Sequence, residues 1–418
     1  MAIKWKSGRL GKPAIALEGL SESITIDAKN RVSFVADSEH HERLAILETL
    51  LSFPKKLNFD SVQKQNAIRR AVAKASLAGE LTPSGVLKEL NRVAKEENDK
   101  PEATYHLITS LSVDGSLPFR KYELDGCKLR FLTGPLPKKY KSREEVIKDF
   151  SGKFSDHPPD YIKCIVSTKA KSERSAAHKA LRALDLFRGY CNLILNPAFQ
   201  IVLGPTEVRP INVIRAGETH TLHFANGKAV RGQVWYEPNF KPKIPLHVKK
   251  PKILKQNVDQ LREGSEKSKY SESLDESLLR FVRSLDETDF NTGIIRLWSA
   301  IETLASPNGA NYEAVVQRCS FLFDDYEYQA QVLNHLREYR NSNVHAGEES
   351  ENAREYCYQS QRFYRQLFFF HIAHAETFSS LEQANSFLDL PPDAEKLFQL
   401  KDSVDRCIKF RKLDVSQE

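Results

Sequence analysis

Apolar residues at helical spacing fill the chain from residue 274 onward, and this pattern constrains the fold more than any other feature. One side of the segment 290–304 shows it most clearly, at Ile294, Leu297, Trp298, Ile301 and Leu304. Residues three and four apart share one face of a helix, so the pattern predicts helices that bury that face. The predicted helices are 290–304, 311–323, 326–344 and 350–378. Short connections between them favour antiparallel neighbours in a helical bundle.

The chain before residue 241 has a different, mixed pattern. Residues 40–100 have helical periodicity, and Thr82-Pro83 provides an N-cap and a proline at the first helical position. Residues 103–240 are rich in β-forming residues and surround one long predicted helix at 173–195. Asn226-Gly227 separates two alternating runs, which predicts a β-hairpin.

We therefore predict an α+β protein whose mixed N-terminal region is followed by an all-α bundle. Residues 241–255 contain six lysines and three prolines, and we interpret them as part of a charged connector. The alternative is a basic strip, Lys241 to Lys255, that contacts an RNA backbone. The predicted segments are 1–100, mainly helical; 101–240, a mixed α/β sensor or recognition module; 241–272, a basic and polar linker; and 273–418, a four-helix bundle.

Composition restricts the possible partners and the cellular location, but it does not assign a function. The formal net charge of +7 suits a phosphate-bearing partner, although it is equally an ordinary solubility margin. The six cysteines form no C-x-x-C pair, which favours reduced core residues over disulfides or zinc ligands. Residues 1–20 lack the apolar segment of a signal peptide, and no stretch approaches 18 apolar residues. We expect a cytoplasmic protein with no membrane partner.

The run Arg340-Asn341-Ser342-Asn343-Val344-His345 holds the densest set of reactive side chains. The apolar stripe of the helix before it contains Leu333 and Leu336, and the next position on that stripe is Arg340. A guanidinium at an apolar position needs a partner. Glu302 follows Trp298 by four residues, so we predict a partly buried, bidentate Arg340–Glu302 pair.

Asn341 and His345 are four residues apart and lie on the flank of this stripe. His345 falls in the last helical turn, where the helix dipole favours the imidazolium and suits the ring to proton transfer. Arg, His and Asn without a metal cluster match one reaction well. In it a ribose 2′-hydroxyl attacks the adjacent phosphorus, His moves protons, and Arg stabilises the added phosphate charge.

The spacing alone is weak evidence, because an Arg followed by a His after four to six residues is expected by chance roughly twice in such a chain. Arg215–His220 and Arg365–His371 also have it. The first lies in a β-turn context and the second in an aromatic helix, so we interpret both as structural. We expect His220 and His223 to lie on the surface of the hairpin.

Residues 294–304, followed by the run from Arg340 to His345, resemble the HEPN superfamily and specifically its Apea-like branch. The resemblance covers about residues 273–390. Arg340 and His345 match the family's motif, Asn341 matches its usual polar position, and Glu302 matches its acidic position. The resemblance implies a four-helix core that dimerises, so that two motifs line one cleft, and a metal-independent endoribonuclease activity with no cofactor.

Two hypotheses follow from these residues. The first is a homodimeric endoribonuclease that cuts RNA as a toxin or antiviral defence effector, with Arg340, His345 and Asn341 as catalytic residues and Glu302 in support. The second is a non-catalytic HEPN-type module that docks RNA, a nucleotide or a partner protein. The sequence names neither the RNA target nor the activating trigger, and we expect residues 1–240 to control activity.

Overall fold

The chain divides into two compact units. The first comprises Met1–His106, Ser167–Lys179 and Phe224–Asn226; the second comprises Leu107–Val166, Ala180–His223 and Gly227–Glu418. The structure, a computed structural model, describes residues 2–6, 12–34, 38–54, 57, 59, 61–150, 158, 160–200, 209–309 and 311–412. The remaining residues of the predicted segments 1–100, 101–240 and 273–418 lie outside the described residues.

The first unit is mainly helical, as the periodicity of residues 40–100 predicts. Its helices are α1 (Pro13–Glu22), α2 (Ser38–Leu50), α3 (Ser61–Leu77) and α4 (Pro83–Asn98). Its described residues also form two small antiparallel sheets: β1 (Lys4–Trp5) with β4 (Leu51–Ser52), and β2 (Ile24–Ile26) with β3 (Val32–Phe34). The predicted N-cap is confirmed, since Thr82 Oγ1 accepts a hydrogen bond from the Gly85 N–H at 3.1 Å.

The β character of residues 103–240 forms a six-stranded sheet in the described part of the chain. The strands are β5 (Ala103–Leu111), β6 (Lys121–Leu124), β7 (Cys127–Leu132), β8 (Ile162–Ala170), β9 (Thr219–Phe224) and β10 (Ala229–Tyr236), in the order β10-β9-β5-β8-β7-β6. The predicted hairpin is confirmed, because β9 and β10 pair antiparallel across a turn in which Gly227 has a φ of 92°. Among the described residues of this region, the α-helices are α5 (Ser142–Asp149) and the predicted α6 (Glu173–Leu195).

Helices make up most of the rest of the second unit. They are α7 (Pro251–Lys267), α8 (Ser271–Ser284), α9 (Phe290–Ala305), α10 (Tyr312–Ser320), α11 (Tyr326–Ala346), α12 (Ala353–Ala373), α13 (Leu381–Leu388) and α14 (Ala394–Arg411). Helix α9 packs against α8, α10, α11 and α12. Its predicted apolar side, from Ile294 to Leu304, is completely buried. The predicted α+β class is therefore confirmed, and α9 lies at the centre of the C-terminal helices.

The predicted linker over 241–272 is wrong for most of its length. Helix α7 begins at Pro251 and packs against α8 and α12, with Leu254, Val258 and Leu261 buried. The lysine and glutamate residues of α7 occupy its exposed face, and their number obscured the apolar spacing of three and four. The unit division also differs from the predicted domain boundaries, because residues 107–166 and 180–223 belong to the same unit as the C-terminal helices.

The cysteines behave largely as predicted. All six lie within the described ranges and are free thiols, and five are buried. Cys407 is exposed on α14, a helix that buries none of its residues. In the ranges that the structure describes, every helix is too short or too polar to span a lipid bilayer.

A buried charge network joins α6 to α8 and to the β9–β10 hairpin. Arg188 Nη2 lies 2.6 Å from Asp185 Oδ1 and 3.0 Å from Asp286 Oδ2, with its side chain fully buried. Arg283 contacts Asp185 Oδ2 and Glu237 Oε2, each at 2.6 Å. Burial opposes the charge of Glu237, yet hydrogen bonding from His220 and the charge of Arg283 hold its pKa well below the ordinary value. The network therefore pairs five ionic groups, of which Asp185 and Arg188 are buried.

The expectation that His220 and His223 lie on the surface is wrong. Both imidazoles are buried. His220 Nε2 lies 3.1 Å from Glu237 Oε1, and its Nδ1 lies 2.7 Å from Thr109 Oγ1. A histidine in a strand can be buried when residues from neighbouring segments hydrogen-bond to both of its ring nitrogens. The sequence pattern of one strand does not reveal those partners.

The carboxyl of Asp275 on α8 should make the free energy of unfolding depend on pH. Burial raises its pKa to about 6, against the favourable charge of Arg182. A carboxyl with a raised folded-state pKa stabilises the fold fully below its unfolded pKa, and that stability is lost as the pH rises through about 6. We expect Asp275→Asn to raise the free energy of unfolding at pH 8 by about 1–2 kcal/mol and to flatten its change between pH 4 and 6.

Urea denaturation at pH 4.5 and pH 8 measures this change. The exposed neighbour Glu276 provides the control, because Glu276→Gln changes the same chemistry without relieving a buried charge. An Asp275→Asn protein that is less stable than wild type at pH 8 contradicts the expectation.

Candidate functional site

Helix α11 carries three of the four predicted site residues. It extends from Tyr326 to Ala346, and Leu333 and Leu336 are fully buried on the predicted apolar stripe. The helix ends at Gly347, whose φ of 68° is left-handed and whose N–H donates to the Asn343 carbonyl. His345 therefore lies in the last turn, as predicted.

Arg340 is largely buried where the apolar stripe continues, with 15% of its side chain exposed. Its Nη1 donates to Tyr312 Oη at 3.0 Å and to Asn341 Oδ1 at 3.1 Å. The guanidinium carbon lies 5.1 Å from the centre of the Tyr312 ring, within the range of a cation–π contact. Neutral oxygens and an aromatic face thus orient the guanidinium without neutralising its charge.

The predicted bidentate Arg340–Glu302 pair is wrong in geometry. The nearest approach, Arg340 Nη2 to Glu302 Oε1, is 4.0 Å. The same Oε1 accepts a hydrogen bond from Trp298 Nε1 at 3.1 Å. A buried indole N–H needs an acceptor, and Glu302 supplies it from one turn further along α9. Glu302 is therefore anchored to its own helix and faces Arg340 only across a longer ionic contact.

The electrostatics of Glu302 agree with this weak contact. Its side chain is 20% exposed. Burial raises its pKa, and the charges of Arg340 and Arg280 and the hydrogen bond from Trp298 oppose that rise without cancelling it. A close ion pair would instead lower the pKa of Glu302. Glu302 therefore neutralises the charge of Arg340 only in part, and the guanidinium still attracts other anions.

Asn341 and His345 occupy the flank of α11. The side-chain oxygen of Asn341 accepts a hydrogen bond from Arg340, which connects the apolar stripe of α11 to its flank. His345 is exposed to solvent. Since residues five apart on an α-helix differ by about 140° around its axis, Arg340 and His345 leave α11 in different directions. Within one chain the guanidinium is fixed and the imidazole is presented outward, so the two do not converge on one pocket.

Two residues that shape the site were missed by reasoning from sequence. Tyr312 begins α10 directly after the N-cap Asn311, and its contact with Arg340 arises from the packing of α10 against α11. Trp298 was assigned to the apolar core, and its polar edge determines where Glu302 lies. No local spacing pairs residue 312 with residue 340, whereas the four-residue separation of Trp298 and Glu302 was available in the sequence.

The other two Arg–His pairs, Arg215–His220 and Arg365–His371, form contacts inside the fold. This agrees with their interpretation as structural residues. Arg365 Nη2 donates to the carbonyl of Asn196 at 2.7 Å, and burial lowers the pKa of His371 to about 3. Arg215 Nη2 donates to the carbonyl of Lys241 at 2.9 Å, and His220 belongs to the buried network. An exposed histidine distinguishes the Arg340–His345 pair from both.

Comparison with known proteins adds no relative. No protein-family model matches the chain, and neither a curated protein nor a solved structure matches it. Within the described ranges, no group of three or more His, Cys, Asp or Glu side chains is arranged to hold a metal ion. The interpretation of the candidate site therefore depends only on its own residues and their geometry.

The geometry of Glu302 predicts different outcomes for two substitutions. Glu302→Gln keeps an oxygen for Trp298, so we expect the free energy of unfolding to change by less than about 0.5 kcal/mol. Glu302→Leu leaves the buried indole N–H without its acceptor and should cost about 1–3 kcal/mol. Urea denaturation of both variants measures the difference. Equal large losses would mean that the ion pair with Arg340, and not the Trp298 hydrogen bond, is the dominant contact of Glu302.

Proposed function

We propose that this chain is a metal-independent endoribonuclease that works as a homodimer through a HEPN-type helical bundle. The observation that carries this proposal is the end of α11. There Tyr312 and Asn341 hold a largely buried guanidinium that has no close carboxylate, and the last turn presents an exposed imidazole. Transesterification of RNA requires a fixed cation and a proton carrier, and the end of α11 supplies one of each, facing different directions within one chain.

The chemistry uses the substrate's own nucleophile. The ribose 2′-oxygen attacks the adjacent phosphorus, a P–O2′ bond forms, and the P–O5′ bond breaks with its electron pair leaving on O5′. His345 accepts the 2′-hydroxyl proton or delivers a proton to the leaving O5′. Arg340 stabilises the negative charge that grows on the phosphate oxygens, and Asn341 keeps the guanidinium oriented. The products carry a 2′,3′-cyclic phosphate and a 5′-hydroxyl.

A second copy of the chain completes this scheme. One imidazole cannot serve as base and acid for the same phosphorus at once, and each chain has one His345 at the end of α11. A two-fold interface repeats each group, so that one cleft receives two imidazoles and two guanidiniums. We propose that the homodimer supplies them in this way, in the cytoplasm, as a toxin or antiviral defence effector.

Incubation of the purified full-length chain with single-stranded RNA in EDTA tests this activity. We expect fragments that end in 2′,3′-cyclic phosphates. RNA that stays intact with micromolar protein over a long incubation would favour the second hypothesis, a non-catalytic module that docks RNA, a nucleotide or a protein.

A further inference from the structure

A cleft of about 1310 Å³ lies between α11 and α12, and it is separate from the site at the end of α11. Neither Arg340 nor His345 lines it. Three arginines form one wall, Arg354, Arg362 and Arg365, and the aromatic residues Phe199 and Tyr328 also line it. The volume exceeds the range of about 300–1,000 Å³ typical of small-molecule pockets, so an extended ligand fits it better than a compact one.

The three arginines form a row along α12. Arg354 and Arg365 are 11 residues apart, which corresponds to about 16 Å along the helix axis. In the described part of the chain none of the three guanidiniums forms an ion pair. Their partners are neutral: Arg354 donates to Gln200 Oε1 at 2.7 Å, and Arg362 donates to Gln329 Oε1. The row is a linear series of positive charges, none of them within ion-pair distance of a carboxylate among the described residues.

Arg365 is the cation of this wall that burial affects most clearly. It donates to the carbonyl of Asn196, its Nε is buried without a hydrogen-bond partner, and burial lowers its pKa to about 10. Holding a cation in a partly buried position without a counter-charge is unfavourable, and a bound anion removes that cost. Two carboxylates, Glu351 and Glu355, also line the cleft, so its positive charge is weaker at the Arg354 end and stronger near Arg362 and Arg365.

The aromatic residues indicate what kind of anion fits. Phe199 is 67% exposed and Tyr328 is 61% exposed, although both are large apolar groups. Exposed rings beside a row of arginines are the combination that binds single-stranded nucleic acid, because bases stack on the rings and phosphates lie along the cations. A phosphopeptide would use the arginines and leave the rings without a role.

We propose that the cleft between α11 and α12 binds single-stranded RNA, with successive phosphates along Arg354, Arg362 and Arg365 and bases stacked on Phe199 and Tyr328. Naming RNA as the ligand rests on the proposed function, whereas the anion-binding character of the cleft does not. His335 lines the cleft and lies five residues before Arg340, about 8 Å along α11. A strand held in the cleft can therefore continue along α11 to the cleavage site.

Binding is measured by fluorescence anisotropy with a labelled single-stranded RNA decamer and full-length His345→Ala protein, in which the RNA stays uncut. In this background we expect Arg354→Gln combined with Arg362→Gln to weaken binding about tenfold or more. The slope of log K against log salt should fall by about 1.4, since each lost phosphate contact on a single strand contributes about 0.7. Phe199→Ala and Tyr328→Ala should each weaken binding roughly tenfold without changing the slope.

Arg231→Gln combined with Arg130→Gln is the matched control, because both arginines are exposed, on β10 and β7, and the pair removes the same two charges outside the cleft. Arg365 stays unchanged in these variants, since it also holds the carbonyls of Asn192 and Asn196. Equal binding and equal salt slopes for the double variant and the control would overturn the cleft proposal, as would tighter binding of a duplex decamer or of a phosphopeptide.

The two proposals fail in different ways. If the cleft variants lose RNA binding while wild-type protein leaves RNA intact, the cleft proposal holds and the nuclease proposal fails. If wild-type protein cuts RNA, and the cleft substitutions change neither binding in the His345→Ala background nor cutting in the wild-type background, the nuclease proposal holds and the cleft proposal fails.

Discussion

RNA cleavage falls by about 10³-fold in His345→Ala and in Arg340→Ala, the largest effects that the structure predicts. A positioned proton carrier contributes about 10²–10⁴-fold to such reactions, and a group that stabilises charge in the transition state contributes about 10²–10³-fold. Initial rates on a labelled single-stranded RNA in EDTA measure the loss. His345 is exposed, so its variant should unfold at the wild-type urea concentration.

Two further variants separate chemistry from structure. Arg337→Ala removes a cation three residues before Arg340, but Arg337 is paired with Glu338 at 3.0 Å, so we expect a rate within about twofold of wild type. Arg340→Lys keeps the charge and loses the planar group that reaches both Tyr312 and Asn341, so its rate should lie between wild type and Arg340→Ala. Unchanged cleavage by His345→Ala would remove this residue from the mechanism.

Arg188→Leu lowers the free energy of unfolding by about 3–5 kcal/mol, the largest stability effect that we expect. The substitution leaves Asp185 and Asp286 without the buried guanidinium between them. An uncompensated buried carboxylate is costly, and Arg283 compensates only in part, through its contact with Asp185 Oδ2 and its charge near Asp286. Urea denaturation at pH 7 measures the loss.

The control is an exposed ion pair. Arg296 on α9 contacts Glu287, but 56% of the Arg296 side chain is exposed. Exposed ion pairs contribute little, so we expect Arg296→Leu to cost less than about 1 kcal/mol. Similar losses for both variants would show that the buried network contributes no more than an ordinary surface pair.

Local patterns predicted most of the secondary structure because they act within a few residues. The long helix was predicted at 173–195 and is α6, Glu173–Leu195. The apolar side of α9 was also predicted residue by residue, because a buried face imposes spacings of three and four on the sequence. Helix α7 was missed because its charged composition was weighted above that same spacing.

Long-range polar contacts were not predictable in the same way. The stripe on α11 correctly indicated that Arg340 is largely buried, but its partner Tyr312 is 28 residues away and is brought near only by helix packing. The Arg340–Glu302 contact was predicted with the wrong geometry, since the Trp298 N–H competes for the same carboxylate oxygen. The buried position of His220 depends on Thr109 and Glu237, which lie on other strands or beyond them.

The central claim is cleavage by ribose 2′-hydroxyl attack, and one paired measurement tests it most directly. Wild-type protein in EDTA is incubated with a single-stranded RNA and with the same sequence carrying 2′-O-methyl groups at every ribose. We predict that the RNA is cut to fragments with 2′,3′-cyclic phosphate ends and that the methylated copy stays whole, because its 2′-oxygen has no proton to give up. Cutting of the methylated copy, or an RNA that stays whole beside it, would contradict the mechanism.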